Sequence, residues 1–188
     1  MSRQLINEYR SELDRIIKVG GTVNEGTLRD AFQTLLKSWG RSHDLTYLSE
    51  HKIVTPKGNT IWVDGALVYD IRVPFGYWEA KDSKDDLEEE IRKKEAKGYP
   101  RSNIIYEDTK RAILIQDRNR VAEADMADTD QLYDLLTKFF AYEQQAIRDF
   151  RKAIAKFAED LPAILDALRS RIREKREAST DFAKAEEA

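Results

Sequence analysis

The chain has 188 residues, 41% of them hydrophobic and 36% charged, with 8 Gly and 4 Pro, which fits a folded, helix-rich domain with extra helix and excludes overall disorder. It has no cysteine and 2 histidines, which excludes a disulfide framework, a Cys-based zinc site and a His-rich metal site. The net charge of −3 excludes a strongly basic, free-standing nucleic-acid binder, because neutralising phosphates supplies most of the affinity of such proteins.

The polar N-terminus lacks an apolar signal core, and no apolar run is long enough to cross a bilayer. A cytoplasmic protein with no membrane partner is expected. Leu5, Ile6, Tyr9, Leu13, Ile16 and Ile17 recur at helical spacing up to Gly20-Gly21, which predicts a first helix. A second follows, capped by Thr22 or Asn24 and stopped at Gly40, with Leu28, Phe32, Leu35, Leu36 and Trp39 inward. The period then shortens. Residues 47–55, 60–70 and 77–81 read as strands, with turns at Pro56-Lys57-Gly58-Asn59 and Pro74-Phe75-Gly76. His43 and His51 read as incidental loop and strand residues.

After Asp82 the chain turns helical again, with Ser83 as N-cap and Glu88/Arg92, Glu89/Lys93 and Glu90/Lys94 as acid-first pairs four apart. Residues 103–107 and 112–116 read as two short strands, and 117–128 as a polar connection. From Asp130 onward the pattern is helical. Leu132, Leu135, Leu136, Phe139 and Phe140 give one stripe, and Phe150, Ile154, Phe157, Leu161, Ile164, Leu168 and Ile172 another. Pro162, with Asp160 as cap, predicts a break or kink inside this run. The order implies an α/β layer with a central sheet and a C-terminal helical extension, divided as residues 1–128 and 129–188.

The chemistry centres on Asp64 in one strand and Glu79-Ala80-Lys81 in the next. Side chains alternate along a strand, so Glu79 and Lys81 share a face, and an antiparallel neighbour brings Asp64 to the same side. Two carboxylates so placed can hold Mg²⁺, with the Ala80 backbone carbonyl completing the shell. A lysine beside them can orient or deprotonate the attacking water and offset charge building on phosphorus. The plain alternative makes Asp64 a turn residue before Gly65, and Glu79 with Lys81 a solvated ion pair. The surrounding Trp62, Tyr77 and Trp78 count against loose charges in these strands.

The stretch from Tyr77 to Leu87, then Ile91-x-x-Lys94, Lys97-Gly98-Tyr99-Pro100 and Ile113-Leu114-Ile115-Gln116, resembles the PD-(D/E)XK nuclease superfamily in its Mrr-like branch. More closely, it resembles the N-terminal nuclease domain of large single-chain restriction-modification enzymes, type ISP and related. The resemblance covers residues 21 to about 142. It implies a restriction-endonuclease-like core, a central mixed sheet flanked by helices, followed by a long-helix extension. It implies Asp64, Glu79 and Lys81 as catalytic residues, Mg²⁺ as cofactor and double-stranded DNA as substrate, with Glu25 supporting the metal and Gln116 supporting the site. Val63 stands where the family's motif has Pro.

Such enzymes continue into ATPase, methyltransferase and target-recognition domains. Their Gly-x-x-x-x-Gly-Lys-Ser/Thr and Asn-Pro-Pro-Tyr motifs are not in this sequence, so the chain is expected to be a fragment of a longer protein. ATP and S-adenosylmethionine then serve only those other domains. Glu25 has a plainer reading as a helix-start acid paired with Arg29, and Gln116 as a structural amide. Lys84, Lys110, Arg111, Arg118 and Arg120 are candidates for phosphate contact against simple solvation. The stripe from Phe150 to Ile172 is expected to pack on the nuclease layer or a further domain, or to form a homodimer. Two rival functions are a catalytically inert nuclease-fold interaction module and a stand-alone junction-resolvase-type nuclease, the latter at odds with the acidic charge.

Overall fold

A computed structural model describes residues 2–20, 25–55, 58–143 and 145–178. The order is α1 (Ser2–Gly20), α2 (Glu25–Arg41), β1 (Leu45–Val54), β2 (Thr60–Tyr69), β3 (Pro74–Ala80), α3 (Leu87–Ala96), β4 (Asn103–Glu107), β5 (Arg111–Gln116), β6 (Asn119–Asp125), α4 (Thr129–Phe140) and α5 (Gln145–Ala178). The six strands form one sheet in chain order. Every pairing is antiparallel except β3 with β4. That parallel pair needs a crossover, and α3 supplies it.

Alternation splits the sheet's side chains between two apolar layers. Trp78 and Ala80 of β3, Ile105 of β4 and Ala112 and Leu114 of β5 join the inward residues of α1, α2 and α4 in the larger core. Ile104, Tyr106, Ile113 and Ile115 meet Leu87 and Ile91 of α3 on the other face. Glu79 follows Trp78 in β3 and therefore belongs to the α3 face, near the end of its strand.

Four expectations from the sequence need correction. Residues 119–125 form β6, an edge strand whose side chains are mostly exposed and only Ala124 buried. Backbone pairing made it, and it has too little apolar alternation to show in the sequence. The cap of α3 is Asp86, whose carboxylate accepts from the Glu88 and Glu89 amides at 2.9 and 3.3 Å. Ser83 lies before it. Of the break or kink expected at Pro162, the break is not there: α5 continues past it, since a proline removes one hydrogen bond and leaves those of its neighbours. The compact unit extends to Tyr142, and the second runs from Glu143 to Ala188. The boundary moves from 128 because Leu132, Leu135, Leu136, Phe139 and Phe140 of α4 belong to the larger core.

The expected Thr22 and Asn24 caps lie outside the described residues, as does the Phe150 side chain. In α5, Ile154, Phe157, Leu161, Ile164, Leu165 and Leu168 are exposed. Among the described residues no helix is long and apolar enough to cross a membrane.

Candidate active site

The strands β2 and β3 pair from Val68 to Gly65, where Gly65 faces Trp78. Gly65 is an interior strand residue here. The Tyr47 ring lies where a β-carbon on Gly65 would stand, and the Tyr47 hydroxyl donates to the Asp64 carbonyl at 3.4 Å. The next cross-strand position is Asp64 opposite Glu79, and there the backbone ladder stops. Two side-chain bonds replace it. The Asp64 amide donates to Glu79 Oε2 at 3.4 Å, and the Ala80 amide donates to Asp64 Oδ2 at 2.8 Å. Each carboxylate thus takes a backbone donor from the opposite strand and holds the two strands as a fork. β3 stays bound to β4 on its other side, with the Lys81 amide donating to the Glu107 carbonyl at 2.7 Å.

Glu79 is buried to 2% exposure, a costly place for a carboxylate without partners. It has two. Lys81 Nζ donates to Oε1 at 2.8 Å, and Lys94 Nζ, reaching in from α3, donates to the same oxygen. Lys94 Nζ also donates to the Tyr99 hydroxyl at 2.8 Å, and that hydroxyl donates to the Trp62 carbonyl at 2.6 Å. One chain of polar contacts therefore runs from β3 through α3 to β2. Burial pulls the Lys94 ammonium pKa down, but its bonds to Glu79 and Tyr99 more than reverse this and raise it. Lys94 stays charged at any ordinary pH.

The structure thus brings Asp64, Glu79 and Lys81 together, with the Ala80 amide between the acids. It does not bring in Gln116, whose amide donates to Asn103 Oδ1 and the Lys138 carbonyl at 3.0 Å each. That position is three residues along β5 from Ile113, which pairs with Tyr106 beside Glu79. Glu25 opens α2, and its side chain lies outside the described residues. Arg111 and Arg120 are held by Glu88 and Glu123. His43 stacks on Phe140 at 5.1 Å.

Lys94 and Tyr99 stand in the sequence as positions of the motif stretch, with no role at the site, and the structure places both against it. The signal was present: Leu87, Ile91 and Lys94 follow one another at spacings of four and three, so Lys94 lies on the buried stripe of α3. Pairing it with Glu90 hid this, and Glu90 bonds Lys93 instead.

The convergent donors are carboxylate oxygens, the ligand type of a hard divalent cation. Mg²⁺ commonly takes one or two carboxylates and keeps waters for the rest, so this pair fits it. Among the described residues no group of three Asp, Glu, His or Cys forms a larger metal cluster.

No protein-family model matches the chain, and no curated protein matches it. Among solved structures, a chain of the cryo-EM structure of a DrdV–DNA complex is similar, with a TM-score of 0.82 and 38% identity over 97% of the present chain. The present chain spans 18% of that one. The mixed six-stranded sheet flanked by helices, with a long C-terminal helix, is a restriction-endonuclease-like α/β fold.

Proposed function

We propose that the chain is a Mg²⁺-dependent DNA endonuclease unit of a restriction-modification enzyme, with cutting chemistry at Asp64, Glu79 and Lys81. It fits the Mrr-like branch of the PD-(D/E)XK superfamily, near the type ISP enzymes. The observation that carries the reading is the fork, where two carboxylates on parting strands each accept a backbone amide of the opposite strand and Lys81 sits on the inner acid. Similarity to a chain solved in complex with DNA supports DNA as the substrate.

Asp64 and Glu79 would hold the ion, with the Ala80 carbonyl as a further ligand. Bound there, Mg²⁺ supplies Lewis-acid polarisation of the phosphate and a more acidic water. The protein's own share is positional. Lys81, two residues from Glu79 on the same strand face, orients the attacking water and offers positive charge to the developing phosphorane. Lys94 and Tyr99 fix the Glu79 carboxylate from the α3 side. Choice of DNA site belongs to other domains of a longer protein.

The test is plasmid nicking with Mg²⁺ by the wild-type chain, Asp64→Ala and Lys81→Ala. The Lys81 variant should lose about 10²-fold or more in rate, and the Asp64 variant should not nick measurably. Equal nicking by all three would point to an inert interaction module. Calorimetric titration with Mg²⁺ or Mn²⁺ separates the cases again, since a functional pair binds the ion and Asp64→Ala does not.

A further inference from the structure

β1 and β2 stay paired well past the fork. Their ladder continues through His51↔Val63, Lys52↔Trp62 and Ile53↔Ile61 to Val54↔Thr60, while β3 leaves β2 at Gly65. Residues 51–54 and 60–63 are therefore a two-stranded ribbon forming one prong of the fork. Its two faces differ. Val63 is buried at 1%, and Ile53, Ile61 and His51 beside it are half-buried. The opposite face carries Lys52, Val54, Thr60 and Trp62, all exposed.

By alternation this exposed face is the one that bears Asp64. Trp62 is 56% exposed, although Trp39 and Trp78 are 2% and 3% exposed. Single exposed apolar residues are ordinary on a protein surface. This one differs in its fixation and its neighbours. Its carbonyl is held by the Tyr99 hydroxyl, which binds the Lys94 that holds Glu79. The ribbon's far end is held too, because Thr55 is buried at 5% and packs where a β-carbon on Gly98 would come within 3.1 Å of it. An exposed aromatic side chain on a held stretch of backbone, with a lysine directly across from it, thus lies about 7 Å, two strand residues, from Asp64.

We propose that this ribbon face is the DNA contact flanking the cut, with Trp62 packed on the sugar or base edge of a neighbouring nucleotide and Lys52 on a phosphate. The assignment rests on the nuclease reading. A phosphate seated at Asp64 and Glu79 carries its adjacent nucleotide over Trp62, because one nucleotide is the reach of two strand residues. The other features fit a nucleic acid: a two-stranded ribbon is of a size to enter the major groove, an aromatic side chain can make apolar contact with the sugars and base edges of a duplex, and Lys52 matches phosphate charge. In an acidic chain, such a contact sets the register of the strand on the site and leaves the choice of sequence elsewhere.

Trp62 reports on itself, since the other two tryptophans are buried. The full chain with Mg²⁺ and low salt is mixed with a short duplex of hydrolysis-resistant phosphorothioate linkages, so that binding is read without cutting. The duplex should shield an acrylamide-accessible tryptophan emission in the wild type. Trp62→Phe should lack that accessible component. By anisotropy of a labelled duplex, Trp62→Ala should bind roughly tenfold more weakly, with Trp62→Phe restoring most of the loss. Lys52→Ala should lower the slope of log affinity against log salt by about one. A duplex that leaves the emission unshielded, or Trp62→Ala binding as tightly as wild type, overturns the proposal. Failure of the nuclease reading looks different: Asp64→Ala and Lys81→Ala would nick like wild type, whatever Trp62 does.

Discussion

Glu79 and Glu107 are both buried, at 2% and 1% exposure, and their surroundings treat them oppositely. Glu79 meets two ammonium groups. Glu107, on the neighbouring strand and the other face of the sheet, accepts from the Thr109 amide at 2.6 Å, and beyond that has the Arg29 charge and the Trp78 indole near it but no ammonium in contact. Burial pushes its pKa up to about 7, against the opposing pull of the Thr109 amide and the Arg29 charge. The unfolded chain releases this proton near pH 4.5, while the folded chain keeps it until about pH 7. Below the lower value both states are protonated and the group contributes no pH dependence. Between the two, the unfolded state ionises first and stability falls as pH rises. The loss reaches about 3 kcal/mol and levels off above pH 7. Glu107→Gln cannot ionise, so its urea midpoint should fall less than that of wild type between pH 5 and 7. Parallel pH profiles for the two proteins would mean that Glu107 is ionised in the fold.

At the scale of elements, α3 links packing to chemistry. Leu87 and Ile91 are its buried residues, and Lys94, on the same stripe, reaches Glu79. Asp86 sets where the helix starts. Asp86→Ala should lower stability by about 1 kcal/mol, read from urea denaturation, and Asp86→Asn should recover most of it. No loss in the alanine variant would show that packing alone fixes the helix start. The helix was legible in the sequence because its charges and its Gly98-Tyr99-Pro100 end are local signals, and its cap was misread by three residues because Ser83 and Asp86 are both good caps. The strands of the fork were legible for the same reason, since Ile61, Trp62 and Val63 mark β2, but the turn expected at Pro74-Phe75-Gly76 falls earlier and these three residues open β3, where Pro74 pairs with Val68 and Gly76 with Leu67. What could not be read was set by partners distant in sequence. β6 exists because β5 offers it an edge, Gln116 turned to Asn103 rather than to the acids, and Lys94 chose Glu79 over Glu90. Asp64 and Glu79 themselves could be placed on one face by strand period, but the backbone bonds that exchange between them depend on where the ladder ends.

For the whole molecule the question is how an acidic chain acts on a polyanion. Residues 143–188 carry equal numbers of acidic and basic side chains, so the net charge of −3 falls on the unit that holds the site. The fork adds two carboxylates at the point where a phosphate must sit, offset by Lys81 and Lys94. The unit has no excess of positive charge to offer the backbone of the duplex, and Arg111 and Arg120 are tied to Glu88 and Glu123. Affinity that rests on so few phosphate contacts is weak, in the range of non-specific binding at about 10⁻⁴–10⁻⁶ M, and each contact contributes about 0.9 to the salt slope. Nicking by the isolated chain should therefore be slow and unselective, and raising KCl from low salt to physiological strength should cut its rate at subsaturating DNA several-fold. Raising DNA concentration should restore the rate, because salt acts on binding and leaves the fork intact. Joining the chain to an unrelated DNA-binding domain should restore it as well and place the nicks near that domain's site. Salt-resistant cutting at one defined sequence by the chain alone would instead place both grip and choice within these 188 residues.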